Sequence, residues 1–441
     1  MNKSIVLKPS QYNVYQSDVE EKRLLVFNTL SRKEACINGI STENQFLHWL
    51  TKQDESRKKQ LEKLGLVTPD LEEERICAIR KISDRELQES VLYLTILPTL
   101  GCNFRCVYCA QTGKGETLSS EDYSVIYSYI EKNIEKRRVV RVGWFGGEPL
   151  LCKADIIDFS RKVKELCRSK GLLYVSEMTT NGYELDYDTF TNLFKAGVRY
   201  YQITLDGDRE IHNYQRPHYR NSDSFERILG NLIEIKNREK SKLFEIGIRI
   251  NVSKKSYPSL EKFIDLLYQY FENDIRFKVL WQWVRDWGGS RIEKEKEEKL
   301  GNDVLSKELY EKSMKHGLQC KELLSEDYIG EACEAKYKDA VVIGPQRKLY
   351  KCSMHLDDSY SFFGVLNQEG VIELKNDNLN IWNAQIEDDE KCKHCVYYPL
   401  CRLQSCPYIE KMEHSNKCME FKNLIKVQMK MIYKNNKAIV F

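Results

Sequence analysis

Between Val91 and Val284 the chain repeats one pattern, a short apolar run followed by a longer amphipathic stretch. The apolar runs are Val91–Leu97, Val139–Phe145, Leu172–Met178, Tyr200–Leu205, Phe244–Val252 and Phe277–Val284. Their length and their β-branched and aromatic content predict buried strands. The stretches Ser119–Lys136, Ala154–Lys170, Tyr187–Ala196, Ser222–Arg238 and Ser259–Tyr270 have helical spacing. In the first, Ile126, Ile130 and Ile134 recur every fourth residue and mark a buried face. Ser120 reads as its N-cap, with Glu121 and Asp122 complementing the helix dipole. Six strand–helix alternations predict an α/β fold, a parallel sheet with right-handed crossovers curled into part of a barrel. Such barrels carry their active sites at the C-terminal strand ends. Polar and glycine-rich motifs fall there: GCNFRCVYC, FGGEP, TTNG and TLDGD after the first four runs, RIN in the fifth and VRDWGG after the sixth.

The flanks read differently. Residues 1–88 form a separate small α+β unit. Arg23–Thr29 and Lys33–Ile37 are predicted to pair across the Leu30–Arg32 turn. Helical segments Glu43–Lys52 and Glu55–Leu64 follow, then a charged run from Pro69 to Glu89. The unit is either a docking domain or a cap that shields the barrel of residues 89–290. Arg291–Leu300 is a mixed-charge run, a solvated helix or linker within residues 291–330. Residues 331–441 hold few convincing helices and many cysteines, the mark of a metal-stabilised third domain.

Composition narrows the classes. A chain of 441 residues has room for about three domains. A formal charge of only +3 argues against a dedicated nucleic-acid binder. No stretch is apolar enough to span a bilayer, and MNKSIVLKPSQYN lacks the apolar core of a secretory signal, so a cytoplasmic protein without membrane partners is expected. The 15 cysteines are mostly clustered. A reducing compartment disfavours a disulfide framework, which leaves metal binding or redox chemistry. Cys36, Cys77, Cys152 and Cys167 stand alone and read as small buried hydrophobes.

Cys102-x3-Cys106-x2-Cys109 follows the first strand directly. Three thiolates at this spacing suit three irons of a [4Fe–4S] cube and leave the fourth iron open. Zinc is the alternative, but structural zinc usually takes two cysteine pairs, and no second pair follows in this loop. The loop resembles the radical S-adenosylmethionine superfamily, in which an aromatic, here Tyr108, precedes the last cysteine. The resemblance extends over about residues 91–285. It implies that S-adenosylmethionine chelates the open iron and is reductively cleaved to a 5′-deoxyadenosyl radical. It also implies that Gly146-Gly147-Glu148 receives the methionine amino group, a charge-assisted contact that glycines allow the backbone to approach. Thr204 and Asp206 would lie near the ribose and methionine, and Arg249 would pair with the methionine carboxylate. For Asp206, His212 and Tyr214 a structural or cofactor contact is expected rather than acid–base work.

Cys392-x2-Cys395-x5-Cys401-x4-Cys406, then Cys418, is a second dense set, with Cys333 and Cys352 upstream. VVIGPQRKLYKC reads as a β-hairpin ending in Cys352. The region resembles the SPASM domain, which implies two auxiliary [4Fe–4S] clusters and hence three clusters in all. Cys333, Cys352 and Cys406 would serve one, with Cys320 as a candidate fourth ligand. Cys392, Cys395, Cys401 and Cys418 would serve the other. The chain departs from that family at Arg347, where a turn glycine is usual, and in the four residues between Cys401 and Cys406, where three are usual. A zinc ribbon on Cys392 and Cys395 is the alternative.

YNVYQSDVEEKRLLVFNTLS resembles the opening of radical enzymes that mature ribosomally made peptides. That implies a precursor whose leader is bound by the N-terminal domain, by strand addition, and an external electron donor such as flavodoxin or ferredoxin. The first expectation is therefore a peptide maturase that forms a C–C or thioether crosslink. The second is a sulfatase-maturing-type enzyme that oxidises Cys or Ser to formylglycine. The third is a non-catalytic carrier of clusters or peptides, against which the intact cysteine motif and GGE argue.

Overall fold

The computed structural model describes residues 6–86, 90–111, 115–284, 302–321, 333–356, 360–383, 390–404, 406–408, 422–434 and 438–441. Six parallel strands run in sequence order through the middle of the chain: β4 (Val91–Ile96), β5 (Val139–Trp144), β6 (Leu173–Thr180), β7 (Val198–Thr204), β8 (Glu245–Val252) and β9 (Phe277–Trp283). Helices α4 (Ser120–Asn133), α5 (Lys153–Ser169), α6 (Tyr187–Ala196), α8 (Ser224–Arg238) and α9 (Leu260–Phe271) connect them. This is the expected half barrel. Ile126, Ile130 and Ile134 lie in its core. The cap of α4 is Ser119 rather than Ser120: Ser119 accepts from Asp122 N while the Asp122 carboxylate accepts from Ser119 N, a reciprocal capping box. A short helix that the periodicity did not show, α7 (Arg209–Gln215), lies between β7 and α8.

The sheet does not stop at the barrel. β10 (Val341–Ile343) pairs in parallel with β4, Val341 opposite Leu94 and Ile343 opposite Ile96. β11 (Lys348–Tyr350), β12 (Phe362–Leu366) and β13 (Ile372–Leu374) continue it antiparallel. The cysteine-rich region is thus hydrogen-bonded to the strand that feeds the first cysteine loop. In the β10–β11 turn, Gln346 and Arg347 hold φ of 59° and 58°, the left-handed conformation glycine usually supplies. Arg347 holds that turn with its Nε 3.3 Å from Asp122 and its Nη1 donating to Gln368 at 2.9 Å.

The N-terminal unit is a meander, β1 (Asn13–Asp18), β2 (Arg23–Asn28) and β3 (Glu34–Asn38), followed by α1 (Glu43–Thr51), α2 (Glu55–Lys63) and α3 (Leu71–Glu86). Alternation along the strands splits its core in two. Leu24, Val26, Ala35 and Ile37 pack on Phe46, Leu50 and Leu61 of α1 and α2. Beyond α10 (Asn302–Lys315), α11 (Asn378–Asn383) and α12 (Glu390–Lys393), two helices complete the other half: Val14, Leu25, Phe27 and Cys36 pack on Leu400, Ile425, Met429 and Ile432, from α13 (Tyr398–Gln404) and α14 (Lys422–Lys434). The unit is therefore one half of a joint core, and a fourth strand, β14 (Ile439–Val440), joins β3 in parallel. Arg291–Leu300, Cys418 and most of VRDWGG lie outside the described residues. Among the described residues no helix is long and apolar enough to cross a membrane.

Candidate active site at the strand ends

The Cys102 loop leaves β4 and is clamped by the chain after α7. Arg105 N donates to the Pro217 carbonyl and Val107 N to the Gln215 carbonyl, both at 2.9 Å, and Tyr219 N donates to the Asn103 carbonyl at 3.1 Å. Cys106 is buried and Cys102 and Cys109 are half-buried. Burial pushes the Cys102 thiol up to about 11 and the Cys106 thiol to about 12. The Cys109 sulfur adds to both shifts, and the Arg216 guanidinium opposes both. The three sulfurs therefore share one environment, with a fixed cation beside it. Among the described residues no three His, Cys, Asp or Glu converge on a single ion; a cubane does not require this, since each thiolate takes its own iron. A metal also deprotonates a coordinating thiol outright, which removes the burial penalty. The donor set fits an iron–sulfur cluster.

Gly146 and Gly147 answer to the cysteine loop. Gly146 has φ +113°, and a Cβ on it would stand 2.5 Å from the Thr99 carbonyl oxygen. A Cβ on Gly147 would stand 2.2 Å from the Gly101 carbonyl oxygen. Gly147 N and Glu148 N bond those same carbonyls at 3.0 and 2.9 Å. The close approach expected toward a ligand is thus an approach of backbone to backbone. Glu148 is buried and accepts from Leu150 N at 2.9 Å, Thr180 Oγ1 at 2.6 Å and Asn181 N at 2.7 Å. Burial raises its carboxyl against those bonds. The Asn181 amide in turn donates to Asn103 in the cysteine loop at 2.7 Å. FGGEP, TTNG and the cysteine loop form one interlocked unit.

A second network closes the other side. Asp206, fully buried, accepts from Asn251 N at 2.7 Å and from the Tyr108 hydroxyl. That hydroxyl accepts from Arg216 Nη1 at 2.7 Å and Asn251 Nδ2 at 3.0 Å. Arg216 is buried, 3.9 Å from Asp206, and its Nε has no hydrogen-bond partner. Thr204 is buried and pairs in register with Arg249. Arg249 is half-buried and its Nε donates to Asn251 Oδ1 at 2.9 Å. His212 accepts from Asp206 N through Nδ1, and burial holds its pKa well below the usual range, so it is a neutral structural ring. Tyr214 is exposed, under the Lys255 ammonium. The motifs point to Tyr108, Asp206 and Arg249; they miss Arg216 and Asn251, although Asn251 sits in RIN.

Cys333, Cys352 and Cys406 also share one environment. Burial raises the Cys352 thiol to about 12 and the Cys333 thiol further, and Cys406 adds to both. Glu334 sits beside them, accepting from Thr95 Oγ1 of β4 at 2.6 Å and from Ser353 Oγ at 2.7 Å. Lys351, buried next to Cys352, donates to the Tyr337, Lys338 and Ala340 carbonyls at 2.6, 3.0 and 3.1 Å. Cys320 is buried in the barrel core and bridges to Val279 of β9, and burial alone raises its thiol. Cys392, Cys395 and Cys401 stand half-buried, the first two against Tyr12 and Tyr398. Cys36, Cys152 and Cys167 are buried as expected, but Cys77 is exposed.

A half barrel presenting three thiolates on the loop after its first strand is the fold of a cluster-dependent enzyme. Residues 96–263 match the Radical SAM superfamily, so the half barrel of this chain is a radical SAM domain. It is 26% identical over 342 residues to a cysteine-type anaerobic sulfatase-maturating enzyme of Clostridium novyi (strain NT), covering 68% of this chain and 84% of that enzyme. Its fold is similar to that of native anSMEcpe with bound AdoMet and Kp18Cys peptide, with a TM-score of 0.56 at 18% identity over 78% of this chain and 99% of the other. It is also similar to Streptococcus suis SuiB bound to precursor peptide SuiA, with a TM-score of 0.50 at 14% identity over 94% of this chain and 98% of the other. The superfamily implies a [4Fe–4S] cluster and S-adenosylmethionine.

Proposed function

We propose that this enzyme is a maturase of ribosomally made peptides, which docks a precursor on its N-terminal domain and abstracts a hydrogen from it to form a C–C or thioether crosslink. The observation that carries this reading is the N-terminal sheet. It is a small meander whose second face is fixed to the cysteine-bearing α13 region, so a peptide held there is held relative to the barrel. The SuiB fold, which accounts for 94% of the chain, supports it.

When bound, a [4Fe–4S] cluster on Cys102, Cys106 and Cys109 supplies the electron for reductive cleavage of S-adenosylmethionine, delivered by an external flavodoxin or ferredoxin. The chain's own part is to hold and orient. A carboxylate has about four acceptor sites; Glu148 uses three, which leaves one for the methionine ammonium. Arg216, with its unpartnered buried Nε beside Cys102 and Cys106, joins Arg249 as an anchor for the methionine carboxylate. Asp206 has both oxygens engaged and positions Tyr108 and Asn251, while Thr204 lies at the ribose side. Cys333, Cys352 and Cys406 hold one auxiliary cluster and Cys392, Cys395, Cys401 and Cys418 the other. Of the two hydrogens the peptide loses, one leaves as an atom to the deoxyadenosyl radical and the other would leave as a proton to Glu334, poised between Thr95 and Ser353, while the remaining electron would pass to an auxiliary cluster.

The test is the mass of a candidate precursor co-expressed anaerobically with the enzyme and with a variant carrying Cys102→Ala, Cys106→Ala and Cys109→Ala. Loss of two hydrogens with the intact enzyme alone supports the maturase, and an unchanged mass counts against it. The second reading, formylglycine formation on a protein Cys or Ser, is favoured by the likeness to the sulfatase-maturating enzyme. Oxidation of Ser also removes two hydrogens, so a hydrazide probe for aldehyde separates the two.

A further inference from the structure

The β3 edge of the N-terminal sheet is already taken. Ile439 pairs with Ala35 and Val440 with Cys36, in parallel. Phe441 N donates to the Cys36 carbonyl at 2.8 Å, and Asn38 N donates to the Phe441 carbonyl at 3.1 Å. The Phe441 ring meets Trp49 edge-on, centroids 6.4 Å apart, and Trp49 stacks on Phe46. This is strand addition in all its parts: extended backbone, main-chain hydrogen bonds, and one side chain in an apolar corner.

The seat is thin. The added strand has two residues where its neighbours have five or six. Ile439 and Val440 remain 48% and 57% exposed. Just upstream, α14 is held firmly on the other face of the sheet by Ile425, Met429 and Ile432. A short, exposed strand on a fixed tether has the build of a reversible occupant, because the tether keeps its effective concentration high while few contacts resist its departure. The opposite edge, β1, ends in Gln16, Ser17 and Asp18, with Asp18 paired to Arg23, the polar finish that discourages strand addition.

We propose that residues 438–441 are an exchangeable strand occupying the edge that receives the precursor, and that an extended precursor segment bearing an aromatic side chain displaces them. The displacement step rests on the peptide-maturase reading. The resident strand covers an edge that would otherwise template aggregation, and it sets a threshold that weakly matching peptides do not pass.

The experiment compares the intact enzyme, a variant lacking residues 438–441, and full-length Phe441→Ala, which keeps the backbone and removes only the ring. The first readout needs no precursor. In the shortened variant the Asn38 amide should exchange with solvent at least about tenfold faster, and the synthetic peptide KAIVF added in trans should restore its protection. Unchanged exchange, or no restoration by the peptide, overturns the exchangeable strand and leaves the maturase reading intact. The second readout is precursor affinity. If the edge is about 90% occupied, removal of the strand should tighten binding about tenfold, with Phe441→Ala in between. Equal affinity for all three forms overturns displacement. A precursor that binds no form, while KAIVF still protects Asn38, refutes the peptide reading and the displacement with it, and supports the exchangeable strand.

Discussion

Arg216 donates a hydrogen bond to the Tyr108 hydroxyl at 2.7 Å, joining the loop that carries the cysteines to the chain that follows the fourth barrel strand. The contact is buried, and Asp206 lies within the same group, fully enclosed. Cation, phenol and carboxylate balance one another beside Cys106, and each would be costly there alone.

Arg216→Met should therefore strand Asp206 as an unpaired buried carboxylate. Breaking a buried pair from one side costs about 3–5 kcal/mol. The expected outcome is a lower melting temperature of the apo protein and loss of iron after reconstitution. Arg216→Lys keeps the charge without the planar fork and should recover part of the stability but little S-adenosylmethionine binding.

Gly147→Ala places a Cβ 2.2 Å from a backbone carbonyl, with no flexible neighbour to yield. It should deform the cysteine loop, lowering both melting temperature and iron content. Gly230, in α8, has nothing within 4 Å of its ideal Cβ. Gly230→Ala should leave iron unchanged and stabilise the protein by about 0.5–1 kcal/mol through helix propensity. Equal behaviour of the two variants would contradict the interlocked loops.

Iron per chain separates the cysteine sets. Three clusters correspond to about twelve irons, and replacing Cys102, Cys106 and Cys109 together, or Cys333, Cys352 and Cys406 together, should each remove about four. Cys320→Ser should remove none. It should instead lower stability, because it puts a hydroxyl in an apolar core.

Glu334→Gln should uncouple two products. The amide still accepts from one hydroxyl, so the fold and the release of 5′-deoxyadenosine are expected to survive. Peptide product should fall by about a hundredfold or more, the usual scale for loss of a proton acceptor. Parallel loss of both products would assign Glu334 a structural role.

Glu34 sets a pH dependence. It is buried in β3, neither carboxyl oxygen has a hydrogen-bond partner, and burial alone raises it to about 9. The folded protein therefore holds a proton that the unfolded chain releases near pH 4.5. Stability is fullest below that value and declines as pH rises toward 9, by at most about 1.4 kcal/mol per unit. Glu34→Gln should flatten the decline, gaining more at pH 8 than at pH 5 in denaturant unfolding. A parallel offset at both pH values would argue against it.

Local pattern alone determined much of this protein. The short continuous apolar runs, each followed by a stretch of helical period, dictate a parallel half barrel, because strands buried on both faces need helices to cover them and there are few ways to connect the two. The Cys102, Cys106 and Cys109 spacing suits a cluster loop, since three thiolates within eight residues of chain have few other uses. What pattern could not contain is pairing between distant segments. The parallel contact of β10 with β4, the joint core of the N-terminal sheet with α13 and α14, and the strand that fills the β3 edge all join residues hundreds of positions apart, each with ordinary local sequence. The same limit hid Arg216, whose partners Tyr108 and Asp206 arrive from two different strand ends. A cysteine's spacing shows that a thiol is present, and only the packing around it decides whether that thiol faces other sulfurs or the apolar core.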